Sequence, residues 1–499
     1  MRSPRPATGD GEDRLSALDD DALREILARL PLRDAAVTTA LSTRWPRVFA
    51  TLPRLRLDST TFNARASLDL DYCDDNGRWV DGLDCVLACR LAPVVAFEVD
   101  VDIDLLEQYD DWFYSFFGEV CRGGGLRELR VVNNHVHECY LLPSPVYACE
   151  TLTSLELDSC RLRVPGKLTG LRSVRSLWLR KVVAEDADLR RMISRCRAVE
   201  RLVLEDCRRM RNVVIRGPSL KELEIHSYRP LRIVVKKAPH LESVKLSLSY
   251  TFPDCVWSHY DNSDGETARK RADGNAVQEL FNFGAMQKRE HEKADEATNI
   301  ITFFSGLSCA KELFLYLPYK FAKVLSKTSN SVPMSLPKKC YLRGLQKLAL
   351  VLDYNDGGLP KVVSCLLNSS PNLRDLEIHD PYDYKERRAS SVAPEFWEKN
   401  ASSECVQNHL SNVTFYLSIK SLQKCSYIGF SKFLVMRARA LQRLSFIYQR
   451  CKDQQHCMQP SLRGSEGSSS NAQGLLRMPW WKFLPSIVSH RFRCGGRVL

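Results

Sequence analysis

The chain has 499 residues, 44% hydrophobic and 26% charged, with a net charge of +12. That composition excludes collagen, coiled coil and wholesale disorder, and the length asks for several domains or an extended repeat array rather than one ordinary core. No apolar run is long enough to span a bilayer, and the opening MRSPRPATGDGEDRL lacks the apolar stretch of a signal peptide, so neither a membrane span nor secretion is expected. The 18 scattered cysteines are then read as reduced thiols of a cytoplasmic and/or nuclear protein.

After a flexible leader at 1–12, Asp19 or Asp20 can cap a helix in which Leu23, Ile26, Leu27 and Leu30 follow i, i+3, i+4, i+7 spacing, and Pro31 ends it. A second helical segment carries Ala36, Val37, Ala40 and Leu41 on one side. Pro46 after Trp45 makes the third helix short or starts it at the proline. Three short helices bury little apolar surface alone, so some of these side chains must pack on another protein or on the rest of the chain.

The order D-R-L-S, an acidic cap, A-L-R-E-I-L-A-R-L-P-L-R-D-A-A and then A-L-S-T-R-W, over 13–50, closely resembles the F-box of plant F-box proteins. The chain differs from the usual pattern at Asp19, where proline is common, and at Phe49, where tryptophan is common. The resemblance implies docking onto a Skp-type adaptor and through it onto a cullin-RING ubiquitin ligase. By that likeness the adaptor contacts fall on Leu15, Leu18, Leu23, Ile26, Leu27, Leu30, Pro31, Leu32, Val37, Leu41 and Trp45.

From Leu52 a second pattern begins. Leu152 to Leu162, LTSLELDSCRL, fits the leucine-rich-repeat consensus L-x-x-L-x-L-x-x-N/C-x-L, with Cys160 at the turn after the strand and Cys207 repeating it. Each such unit is a strand with two leucines pointing inward, too small to bury its own apolar face, so neighbours must exist. They do: triplets start at Leu52, Val94, Leu126, Leu152, Val174, Val199, Leu220 and Leu241, with spacings of 26, 22, 25, 21 and 21 from Leu126 onward. Leu189, Met192 and Ile193 predict a helix near 188–196, whereas 227–238 is short and β-rich, so the outer layer should mix helices with extended segments.

The first block of repeats is placed at 51–250. Residues 251–298 are polar and charge-rich and are read as an insert or loop with one helix. The pattern resumes over 299–395 with Leu313 and Leu315, then with triplets at Leu345 and Leu373. Over 396–448 it continues through triplets at Leu410 and Leu441, with a helix over 429–440 carrying Phe433, Leu434 and Met436. This last stretch, Trp397, ECVQNHLSNV and FSKFLVMRARAL, looks like the FBD region that closes many plant F-box and leucine-rich-repeat proteins. The count comes to about eleven strands, and the tail at 449–499 is low in complexity and read as disordered.

The fold class expected is therefore α/β: a three-helix F-box followed by a leucine-rich-repeat solenoid, a curved parallel sheet with helices and extended segments outside it. No phosphate loop, dinucleotide fingerprint, nucleophile elbow or zinc-protease helix is present, and Cys73, Cys85 and Cys89 contain no C-x-x-C pair. Neither an enzyme nor a cofactor is expected, and membrane or nucleic-acid partners are not. The function read is substrate recognition for an Skp–cullin–F-box ubiquitin ligase. The alternatives are a repeat scaffold without ligase function or a small-ligand sensor of the same architecture. Outward strand positions Glu156, Trp178, Arg180, Arg201, Glu224 and Lys245 are the candidate target contacts. Between Arg161 and Lys245 there are 22 Lys and Arg against 9 Asp and Glu, so the target-facing surface is expected to turn basic after Asp158 and the target to be acidic.

Overall fold

A computed structural model describes residues 15, 17–58, 84–101, 110–134, 139–227, 231–248, 302–316, 334–351, 359–379, 394–401, 404–418 and 426–449. The leader, the 251–298 insert with its expected helix, Cys73 and the tail beyond Gln449 lie outside them, whereas Gln449 itself ends the last strand. The chain divides into two compact units, Met1–Val199 with Cys207–Arg209, and Glu200–Asp206 with Met210–Leu499.

The first unit opens with α1 (Asp20–Leu27), α2 (Leu32–Val37), a single 3-10 turn (Thr38–Ala40) and α3 (Trp45–Ala50). Asp19 caps α1, its carboxylate accepting from the Ala22 backbone N–H at 2.7 Å, so the residue that replaces the usual proline satisfies an orphan donor of the first turn. Pro31 sits just before α2, and α3 begins at Trp45. Leu23, Leu27, Ala35, Trp45, Val48 and Leu52 form one buried cluster, with Leu18, Leu30 and Phe49 packed at its edge. Arg24 Nε, donating to Thr51 Oγ1 at 3.0 Å, ties α1 to the end of α3. Leu52 belongs at once to this cluster and to the first repeat, so the helical cap runs without a break into the strands.

Five parallel strands of the main sheet follow among the described residues of this unit: β1 (Arg54–Asp58), β2 (Ala96–Val101), β3 (Glu128–Asn133), β5 (Ser154–Asp158) and β7 (Ser176–Arg180). Two inward rows run across them in register, Leu55, Phe97, Leu129, Leu155, Leu177 and Leu57, Val99, Val131, Leu157, Leu179, all buried. The outer layer holds the short pair β4 (Tyr140–Leu141) and β6 (Cys160–Arg161), with α4 (Asp110–Arg122), α5 (Ser144–Ala148) and α6 (Asp186–Arg195). Leu189, Met192 and Ile193 of α6 point inward, as their spacing predicts. Helix α4 has no counterpart in the sequence reading; Phe113, Phe116, Phe117 and Val120 repeat at helical spacing and are buried.

The turn after each strand is built the same way twice. Cys160 is fully buried with Sγ 3.9 Å from the Val131 carbonyl of the preceding repeat's strand, and Cys207 Sγ lies 3.3 Å from the Leu179 carbonyl of the strand before it. The thiol packs as a small apolar group and offers a weak donor to a strand carbonyl.

The second unit carries eight further parallel strands among its described residues: β8 (Arg201–Glu205), β10 (Glu222–Ser227), β12 (Ser243–Leu248), β13 (Glu312–Tyr316), β14 (Lys347–Val351), β15 (Asp375–His379), β16 (Asn412–Ser418) and β17 (Arg443–Gln449). The two units thus hold thirteen main-sheet strands among the described residues, where the sequence suggested about eleven, because every triplet, including the first and last, is a strand. β12 and β13 pair directly, so the long polar segment between them interrupts no ladder. A separate parallel pair, β9 (Asn212–Arg216) and β11 (Arg232–Lys236), supplies the expected extended outer layer. Near the C-terminal end, α7 (Leu359–Asn368), α8 (Pro394–Asn400), α9 (Glu404–Asn408) and α10 (Ser426–Arg437) pack outside the strands. Trp397 is fully buried against Phe430, ring centroids 4.2 Å apart, and Phe415 stacks on Phe446 at 5.1 Å.

Three sequence expectations change. Val203 and Ala349, at outward positions, are 2% and 4% exposed, shaded by longer side chains on adjacent strands such as Glu224 beside Val203 and Phe314 and Glu377 beside Ala349. Met436 of α10 faces solvent rather than the core beside Phe433 and Leu434. The apolar side of the second helix, Val37 with Ala40 and Leu41, also faces outward, while Leu32 and Ala35 are what α2 buries.

Candidate functional site

The eleven expected adaptor contacts separate by burial. Leu23, Leu27, Leu32 and Trp45 are 0–5% exposed and are used up by the domain's own core, so they shape a docking face without forming it. Leu18, Leu30 and Pro31 are half-buried. Leu15, Ile26, Val37 and Leu41 are 49%, 38%, 66% and 63% exposed. Single exposed aliphatic residues are ordinary on protein surfaces, but four within this small domain leave it with apolar area it does not bury itself.

The second candidate surface is the solvent face of the strands. In the first unit its four arginines pair internally with some of its six carboxylates. Arg130 pairs with Glu98 and, at 3.2 Å, with Glu156; Arg54 meets Glu128 at 2.8 Å; Arg180 lies 3.5 Å from Asp158. Trp178 stands opposite Glu156 in register, and its indole N–H donates to Ser176 Oγ at 2.9 Å. Of the expected contacts, Glu156, Trp178 and Arg180 therefore share one face.

In the second unit Arg201, Glu224 and Lys245 also share one face. Arg201 lies 3.4 Å from Glu222 and Lys245 3.6 Å from Glu224, whose other oxygen contacts His226 at 2.9 Å. Burial would push the Glu224 carboxyl up, yet the His226 ring and the Lys245 ammonium hold it below the usual carboxylate range.

These pairings correct the expected basic face. Of the 22 cations between Arg161 and Lys245, only Arg180, Arg201 and Lys245 lie on main-sheet strands, and each has a carboxylate within 4 Å. The others among the described residues lie outside the main-sheet strands, in turns and in the outer layer, for example Arg216 opposite Lys236 in the β9–β11 pair. The count along the sequence was right, but a strand displays only alternate residues on its face and each repeat spends most of its length elsewhere.

A feature without a place among the expected contacts lies farther along. On β13 to β16 the solvent face carries Phe314, His379 and Tyr416. His379 stacks flat on Tyr416 with centroids 4.2 Å apart and 5° between planes, and Phe314 meets the His379 ring edge-on at 6.1 Å. Lys347 Nζ is 3.0 Å and His379 Nε2 3.7 Å from the Glu377 carboxylate, and these two hold it below the usual range against the upward push of burial. The signal was available: in ELFLY the position between Leu313 and Leu315 is aromatic rather than polar, and a tyrosine follows Phe415. Among the described residues no group of three or more His, Cys, Asp or Glu is arranged to hold a metal ion, and no helix is long and apolar enough to cross a membrane.

Two family models match the chain. One, described as F-box domain, covers residues 15–64, and the other, described as FBD-associated F-box protein At5g56370, LRR repeats, covers 116–258. Among relatives from Arabidopsis thaliana, F-box/LRR-repeat protein 13 is 25% identical over 78% of this chain and 81% of its own length. F-box/FBD/LRR-repeat protein At5g56420 is 30% identical over 39% of this chain and 44% of its own. F-box/FBD/LRR-repeat protein At1g80470 is 27% identical over 42% of this chain and 43% of its own. Across the relatives matched first, the shared stretch ranges from 37% to 93% of their length.

Proposed function

From the premise that this chain is a plant F-box/leucine-rich-repeat protein, we propose that it is the substrate-recognition subunit of an Skp–cullin–F-box ubiquitin ligase, working in the cytoplasm or nucleus. The F-box at 13–50 docks a Skp-type adaptor, and the strand faces of 51–250 and 299–395, completed by the FBD-like 396–448, present a protein target. The chain performs no chemistry of its own. It raises the effective concentration of a target lysine near a ubiquitin donor carried by partner subunits, a proximity effect.

The observation that carries this reading is the split in the helical domain: the core side chains Leu23, Leu27 and Trp45 are sealed, while Val37 and Leu41 are about two-thirds exposed. A mere cap on the solenoid would have no use for that outward apolar side, whereas a partner helix can cover it. The test is capture of the purified full-length chain by a Skp-type adaptor, with Val37→Asp and Leu41→Asp combined in one variant. Neither residue belongs to the buried cluster, so the variant should keep its unfolding midpoint and lose capture. A wild-type chain that is not captured, or a double variant captured as well as wild type, overturns the proposal.

A further inference from the structure

We infer that the strand face over β13 to β16 is the target-binding subsite of this chain and that it takes a basic, arginine- or lysine-containing segment of a protein. The inference rests on the receptor reading above and names its target class. Three observations on that face support it.

The first is the ring cluster. Phe314, His379 and Tyr416 come from three different strands, yet they converge over the small Ala349, which lies in register between Phe314 and Glu377. Their rings are part-exposed, unlike the fully buried rings of the core such as Phe415 and Trp397. Rings fixed by one another's stacking lose little further entropy when a flat guanidinium or an alkylammonium settles on them, and their π faces attract cations.

The second is charge. The alternate outward positions of these strands hold Glu312, Asp375 and Glu377 against Lys347 as the single Lys or Arg. Lys347 is committed to Glu377 at 3.0 Å, and Asp375 accepts from Asn412 Nδ2 at 2.6 Å, so these two carboxylates are held in place. The face keeps an acidic surplus beside the rings, and Glu377 lies 3.7 Å from the His379 ring of the stack, where a bound cation can share its carboxylate.

The third is contrast. The first unit's strand face is as acidic, Asp58, Glu98, Asp100, Glu128, Glu156 and Asp158 standing against Arg54, Arg56, Arg130 and Arg180, but Trp178 is its single Phe, Tyr or Trp ring, so what sets β13 to β16 apart is the ring cluster beside the carboxylates. An acidic segment, the partner that the sequence count suggested, would meet Glu312, Asp375 and Glu377 on this face.

The experiment uses the full-length chain bound to its adaptor and two fluorescent probes of equal length, an Arg–Gly repeat peptide and a Glu–Gly repeat peptide, with binding read by anisotropy at low and at moderate salt. The Arg–Gly probe should bind and the Glu–Gly probe should not. Phe314→Leu, which keeps apolar volume and removes the ring, should weaken the Arg–Gly probe about five-fold, and Glu377→Gln about ten-fold. Arg180→Ala, on the other unit, should leave it unchanged. Equal or tighter binding of the Glu–Gly probe, no binding of the Arg–Gly probe, or variants within two-fold of wild type at unchanged unfolding midpoints would each overturn the inference. Adaptor capture on the same preparations separates the two readings. Capture without any preference for the Arg–Gly probe sinks the subsite alone, and loss of wild-type capture with the preference intact sinks the ligase role alone.

Discussion

The turn around Gly170 offers the sharpest test of how the repeats are joined. Gly170 N–H donates to the Tyr147 carbonyl at 3.1 Å and Leu171 N–H to the Cys149 carbonyl at 2.8 Å, so this segment crosses the end of α5 at hydrogen-bonding distance. A Cβ on residue 170 would stand 2.4 Å from the Ala148 carbonyl carbon and 2.6 Å from both the Cys149 nitrogen and oxygen. All three are backbone atoms, so nothing can swing aside, and the crossing must widen and lengthen both hydrogen bonds. Overpacking of this kind costs about 1–3 kcal/mol, against the gain of about 0.4–1 kcal/mol that Gly→Ala gives where the backbone tolerates it. Gly170→Ala should therefore destabilise on balance. Gly166, four residues earlier, has nothing within 4 Å of its would-be Cβ, so Gly166→Ala should stabilise by about 0.5 kcal/mol. Urea unfolding of both variants with wild type reads the sign directly. The same sign for the two, or a neutral Gly170→Ala, would refute the close crossing.

In the F-box, Leu27→Ala opens a cavity in a core of six buried side chains and should cost about 2–5 kcal/mol, whereas Leu41→Ala should change folding by less than about 0.5 kcal/mol; differential unfolding that showed equal losses would contradict the burial split. Trp397→Ala should cost about 3–5 kcal/mol and loosen the packing of α8 on α10, read as increased amide exchange in α10 with strands β1 to β3 unaffected. The Glu377 carboxyl is held below its ordinary value, so its contribution is present above the unfolded carboxylate pKa of about 4.3 and disappears as pH falls through the lower folded value. The stability gap between wild type and Glu377→Gln should accordingly be full at about pH 6 and close in stronger acid; a gap that does not change with pH would contradict that sign.

The main sheet was legible because its signal is local and repeated: an inward pair one residue apart needs no distant partner to be recognised, and all thirteen strands announce themselves that way. The outer layer was legible where it formed helices with polar outer faces, as in α6, and where a short β-rich stretch left no room for a helix, as in β11. Helix α4 reads DDWFYSFFGEVCR, so rich in aromatic residues that its 3.6 period hides among β-formers, and β4 and β6 are two residues each, too short to carry any pattern. At the candidate sites the sequence supplied which residues alternate outward but not which of them are shaded, as Val203 and Ala349 show. Nor could it reveal that cations crowded between 161 and 245 would be delivered to turns, while three rings far apart in sequence, Phe314, His379 and Tyr416, would meet.

The helical domain shows why periodicity alone stops short of function. In α1 the positions Leu23, Ile26 and Leu27 form one apolar stripe, and nothing in the stripe distinguishes burial within the chain from burial against another chain. The fold divides it: Leu23 and Leu27, one turn apart, close on Trp45 and Val48, and Ile26, rotated about 100° from Leu27, is left 38% exposed. A helix of eight residues cannot turn an apolar stripe that wide wholly toward a core of three short helices. The surplus is a consequence of the domain's small size, and a docking partner turns it to use: binding can add stability to the domain, because a partner that covers Ile26, Val37 and Leu41 binds only the folded form. The unfolding midpoint of the F-box should therefore rise with adaptor concentration in the wild type and stay flat when Val37 and Leu41 carry aspartate.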